Sequence, residues 1–88
     1  MNYFVYLIIS KRKDKFISYV GYTNNIKKRL FLHNNSKGAK FTRGGSWILI
    51  YKKNYKTKKN ALIEEFKLKK NSNLRKKIKE KYLNEKKN

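Results

Sequence analysis

Residues Tyr19 to His33 read Y-V-G-Y-T-N-N-I-K-K-R-L-F-L-H, a run that passes from β-branched and aromatic residues through a glycine into helical spacing. Gly21 admits a backbone conformation closed to other residues, which predicts a tight turn at the end of a strand. Thr23, Asn24 and Asn25 are all helix N-cap types. Beyond them Ile26 and Leu30 recur at i and i+4, predicting a helix from Asn25 to about His33 with that pair toward a sheet. Arg29 and His33 share the same spacing on its flank, so their side chains are neighbours.

Upstream, Tyr3 to Ser10 places Tyr3, Val5, Leu7 and Ile9 on one side and Phe4, Tyr6 and Ile8 on the other. Apolar residues on both sides predict a strand covered on both faces. Lys11 to Lys15 is a charged connection, and Phe16 to Val20 resumes strand character, so the two strands form an antiparallel hairpin.

Downstream, Asn34 to Gly45 contains K-G-A-K-F-T-R-G-G, too polar for a core element and too long for a tight connection. Such loops in small domains are often functional. Trp47 to Tyr51 predicts a third strand, and the charged segment Lys52 to Lys56 is expected to lead the chain away. Thr57 can cap a helix from Lys58 to Lys70, on whose wheel Ala61, Leu62, Phe66 and Leu68 define the buried side. Glu65 projects among them, whereas Glu64 sits at the edge. Ser72 or Asn73 is expected to cap a third helix carrying Leu74, Ile78 and Tyr82, and Asn84 to Asn88 is expected to fray. The order is β-β-α-β-α-α, an α/β (α+β) chain with one domain over residues 1–83.

Composition narrows the function. Among 88 residues, 25 Lys and Arg stand against 5 Asp and Glu, a net charge of +20. A small domain so basic calls for a polyanionic partner, nucleic acid first. The excess is almost all Lys, with abundant Asn, Ile, Tyr and Phe and no Pro, so coding bias and an anionic membrane surface stand as alternatives. With no Cys, disulfides and thiolate metal sites are excluded. The longest apolar run, Phe4 to Ile9, is far short of the ~20 residues that span a bilayer. A soluble cytoplasmic protein without membrane association or an obligate protein partner is expected.

Chemistry concentrates in few groups. Glu65 is the acid placed inward, where a carboxylate needs a cation: Lys69 at i+4, or a divalent metal that keeps several waters. Both readings stand on the residues alone. Arg29 and His33 taken singly fit a snorkelling base and a structural imidazole, and Tyr6 and Tyr19 fit packing residues on adjacent strands. Together the five suit phosphodiester hydrolysis, in which one group activates water, an arginine offsets charge at phosphorus and a metal steadies the leaving oxygen.

Phe4-Val5-Tyr6 followed by Tyr19-Val20-Gly21 resembles the two-triplet signature of the GIY-YIG nuclease superfamily, with Phe4 at its first glycine. Arg29 and His33 fall where that family has its helix arginine and its histidine or tyrosine. Lys37-Gly38-Ala39-Lys40-Phe41-Thr42-Arg43 resembles the K-G-A-K-Y-T-R loop of small single-domain bacterial members. Ala61 to Lys69 resembles the A-L-x-x-E-x-x-I-K helix, in a register that selects Glu65 as metal ligand. The resemblance implies a small three-stranded antiparallel sheet flanked by helices and one-metal hydrolysis of DNA with Mg²⁺ or Mn²⁺. It implies Tyr6 or Tyr19 as general base, Arg29 on the scissile phosphate and His33 assisting. Lys37, Lys40, Thr42, Arg43 and Lys69 are the expected nucleic-acid contacts. No separate DNA-recognition domain is expected, which implies low sequence specificity.

Overall fold

The computed structural model describes residues 2–86. Three strands form one antiparallel sheet in the order β2-β1-β3, followed by helices in the expected chain order. β1 (Tyr3–Arg12) is central, and Val5 through Ser10 are all buried because both of its faces are covered. Val5 and Leu7 pack with Val20, Ala61 and Leu68 beneath the last two helices. Tyr6 and Ile8 pack with Trp47 on the opposite face, where Ile26 and Leu30 from the first helix join them. The alternation read in Tyr3 to Ile9 therefore separates two cores.

β2 (Lys15–Thr23) is longer than the sequence suggests, pairing with β1 from Arg12↔Lys15 to Phe4↔Thr23. Only Lys13 and Asp14 turn the hairpin, and Lys13 takes a left-handed φ of 57°. The charges of Lys11 and Lys15 misled the boundaries, since hairpin ends are solvated even when their backbones pair. β3 (Ile48–Tyr55) likewise continues through Lys52, Lys53 and Asn54, which pair with Tyr6, Val5 and Phe4. This segment does not lead the chain away. It is an edge strand, where exposed lysines guard against pairing with another chain. A register shift between Leu7 and Ile8 leaves Ile50 as an extra residue between Leu49 and Tyr51.

α1 (Ile26–Asn34) is capped by Asn25, whose side chain accepts from the Lys28 N–H at 3.1 Å. A one-turn 3₁₀ helix at Lys40–Thr42 lies within the following loop. α2 (Lys58–Lys70) is capped by Thr57 as expected. Its wheel turns differently, however: Ala61 and Leu68 are buried, but Leu62 is 38% and Phe66 57% exposed. Glu65 is half-buried as expected, and Glu64 rather than Leu62 or Phe66 joins it in the sheet-facing i, i+3, i+4, i+7 stripe. Phe66 is tolerated outside partly because the Lys70 ammonium sits 4.5 Å from its ring centroid.

α3 (Ser72–Lys86) begins from a different cap than expected, since Asn71 accepts from the Leu74 N–H at 3.0 Å. Arg75 donates to the Leu68 and Lys69 carbonyls, satisfying the end of α2. Ile78 packs toward the sheet while Leu74 remains 43% exposed. The helix extends through Lys86, so 84–86 are helical, and 87–88 lie outside the described residues. Among the described residues no helix is long and apolar enough to cross a membrane.

Candidate active site

Tyr6 points from β1 into the α1 side and is 2% exposed. Its register partner is Gly21, and a Cβ at that position would stand 2.3 Å from the phenol oxygen and 2.5 Å from Cζ. Gly21 therefore lies within a strand rather than at the expected turn, and its φ is not left-handed. Its missing side chain is the space the Tyr6 ring occupies.

The Tyr6 hydroxyl lies 2.7 Å from His33 Nε2, and His33 Nδ1 lies 2.9 Å from Thr42 Oγ1. Thr42 donates its single hydroxyl proton to the Ala39 carbonyl at 2.8 Å. It must then accept from His33, which fixes the imidazole proton on Nδ1 and leaves Nε2 to accept from Tyr6. One directed chain runs Tyr6, His33, Thr42, Ala39. Gly38 permits it, because a Cβ there would meet His33 Nδ1 at 2.6 Å. Thr42 is thus no surface contact for nucleic acid: it is fully buried, and its hydroxyl is committed to His33 and the backbone.

The remaining groups gather around Tyr6. Burial pushes its phenol up to about 12, opposed by the Arg29 guanidinium and assisted by Tyr19 and Glu65. The Tyr19 ring meets the His33 imidazole edge-on, with centroids 5.2 Å apart. Burial holds His33 below its ordinary 6.5, and the neighbouring Arg29 charge acts in the same direction. Glu65 reaches this region from α2 with its side chain only 15% exposed, and Lys69 Nζ stands 3.7 Å from it. The i+4 ion pair is present, beside a carboxylate close enough to influence the phenol. The five residues Tyr6, Tyr19, Arg29, His33 and Glu65 thus come together, while Lys37, Lys40 and Arg43 are exposed on the loop.

Three contributors were not singled out from the sequence. Gly38 was visible only as part of a motif, and the Ala39 carbonyl has no side-chain signal. Asn34 accepts from the Trp47 N–H at 2.5 Å and donates to the Trp47 carbonyl at 3.2 Å, pinning the far end of the loop. Its place at the end of α1 was the available clue.

The buried neutral imidazole gives a pH prediction. With the folded pKa below the unfolded 6.5, the unfolded chain binds more protons in the interval between them. Stability is fully present above pH 6.5 and falls as the pH drops through the folded value. His33 is the one histidine in the chain. Thermal melts at falling pH should show a loss below pH 6.5 that is reduced in His33→Gln; an equal loss in both would refute the assignment.

A family model described as the GIY-YIG catalytic domain matches residues 2–86. The chain is 41% identical over 88 residues to the UPF0213 protein YazA of Bacillus subtilis, covering 99% of this chain and 83% of the relative. A UPF0213 protein of Bacillus licheniformis is 48% identical over 69 residues, covering 77% and 68% of the two chains. The solution NMR structure of a UPF0213 protein from Bacillus halodurans is 33% identical and covers 88% of this chain and 80% of its own, with a TM-score of 0.47. Because that family model spans nearly the whole chain, the chain belongs to the GIY-YIG family.

Proposed function

We propose that this protein is a divalent-metal-dependent endonuclease that hydrolyses DNA phosphodiester bonds with low sequence specificity. The observation that carries the reading is the directed Tyr6–His33–Thr42 chain with Arg29 and Glu65 beside its phenol. In this reading a water attacks phosphorus, forming a P–O bond as the bond to the leaving oxygen breaks. The water's proton passes to Tyr6 Oη while the phenol proton passes to His33 Nε2.

Energetics require these transfers to be concerted. With burial raising the phenol to about 12 and holding the imidazole below 6.5, free proton transfer from Tyr6 to His33 is strongly uphill. Tyr6 therefore rests protonated, and its oxygen becomes a strong base only as the substrate reacts. Arg29 offsets negative charge on the phosphorane and favours the phenolate. Among the described residues no three His, Cys, Asp or Glu side chains cluster, so Glu65 would hold the metal as a single carboxylate. That donor set fits Mg²⁺ or Mn²⁺, which accept one carboxylate and complete their shells with water and phosphate oxygens. Bound there, such an ion supplies Lewis-acid stabilisation of the leaving oxygen. Exposed Lys37, Lys40, Arg43 and Lys69 are phosphate contacts, which hold DNA without reading its sequence.

The test is cleavage of supercoiled plasmid and branched duplexes with Mg²⁺ or Mn²⁺, repeated with the metal chelated. Cleavage no greater than that of a folded Glu65→Ala preparation would defeat the proposal.

The Lys69–Glu65 contact favours a second reading, a nucleic-acid-binding module that has kept the nuclease scaffold, because the lysine neutralises the carboxylate a metal requires. Binding should then fall with a log-log salt slope of about −0.9 per neutralised duplex phosphate. A salt-independent affinity would exclude this module.

A further inference from the structure

Phe41 stands out once the site is assigned. It lies between exposed Lys40 and buried Thr42, and the residue is 58% exposed although Tyr19 and Trp47 are adjacent. Its centroid is 6.2 Å from that of Tyr19, with planes 21° apart, and 6.3 Å from that of Trp47. Exposed apolar area gives no burial free energy, so packing accounts for only part of this ring.

The mounting is firm. Thr42 is fixed by His33 and by its bond to Ala39, and its carbonyl accepts from Trp47 Nε1 at 2.8 Å. The ring therefore rides on an anchored turn beside the Tyr6–His33 pair. It lines a groove of about 300 Å³ together with Ser18, Tyr19, Val20, Lys69 and Arg75. An exposed aromatic ring in a groove that also carries two cations is the composition of single-strand sites, where a base stacks and the backbone meets positive charge.

We infer that Phe41 is a stacking platform for an unpaired nucleobase, with Lys69 and Arg75 taking the adjoining phosphates. The inference rests on the nucleic-acid reading of the same site and adds that the bound strand has at least one base outside a duplex stack. A paired base already spends both faces on its neighbours, so intact duplex gains little from the platform.

Binding with divalent metal chelated tests this without reading cleavage. Fluorescence anisotropy would compare a labelled oligothymidylate with a labelled blunt-ended duplex of two annealed strands on the native chain, Phe41→Leu and Phe41→Trp. Expected is a roughly tenfold weaker single-strand affinity for Phe41→Leu, recovery in Phe41→Trp, and duplex affinities within about twofold of native. An oligouridylate showing the same pattern also supports the platform, which reads the base rather than the sugar.

Native single-strand affinity in Phe41→Leu would overturn the inference. So would equal losses on both ligands or no recovery with Trp, outcomes that make Phe41 a packing residue. Thermal melts of each variant establish that the binding samples are folded. Failure here leaves the nuclease proposal standing, whereas the expected pattern in a protein that cleaves nothing would overturn the nuclease proposal alone.

Discussion

Tyr6→Phe is expected to lower metal-dependent DNA cleavage by about 10²–10⁴-fold, the contribution typical of a positioned general base. The substitution removes the one oxygen that can pass a proton to His33 Nε2, at 2.7 Å, and keeps the ring over Gly21. It also leaves a buried imidazole acceptor without a partner, costing about 1–3 kcal/mol of stability. Rates should therefore be compared well below the melting midpoint of each variant. Tyr19→Phe is the control that separates the two tyrosines the sequence left open. The Tyr19 ring meets His33 only edge-on, so loss of its hydroxyl is expected to reduce cleavage by less than about tenfold. A greater loss in Tyr19→Phe than in Tyr6→Phe would transfer the base role to Tyr19.

Gly21→Ala is expected to produce the largest loss of stability from adding one methyl group. Its Cβ would meet the Tyr6 phenol at 2.3 and 2.5 Å, against a ring held between the sheet and His33. Overpacking of a closed core costs about 1–3 kcal/mol. For a domain of this size that lowers the melting midpoint by roughly 5–20 °C. Relief of the clash requires the phenol to leave His33, so cleavage should fall with stability. Shortening the ring removes the conflict: Gly21→Ala combined with Tyr6→Leu should lose less stability than the two single changes summed. Additive losses, or an unchanged midpoint in Gly21→Ala, would show that the tyrosine is not wedged over this glycine.

The same pair of residues explains which parts of the molecule could be read in advance. Periodicity exposed the two-sided burial of β1 because alternation along a strand is a local property. Asn25 and Thr57 announced their helices because caps act within three residues. The charged ends of β2 and β3 were missed because pairing with a central strand is decided by the neighbour, not by the segment's own polarity. The α2 wheel failed for a related reason. Glu65 faces inward as the wheel has it, but Glu64 joins it while Leu62 and Phe66 face out, an arrangement with sense only where the sheet and the site are already in place.

By itself, the sequence determined the α+β order, the basic character and the identity of five residues that the fold gathers around Tyr6. Tertiary structure alone decided how those residues are used. It showed that Gly21 and Gly38 are spaces for Tyr6 and His33, that Thr42 is buried as the imidazole's partner, and that Phe41 is left open beside them. The physical reason is range. Backbone propensity and side-chain periodicity act over a few residues, whereas a proton chain from Tyr6 to Ala39 and the space its rings occupy depend on contacts between segments far apart in the chain.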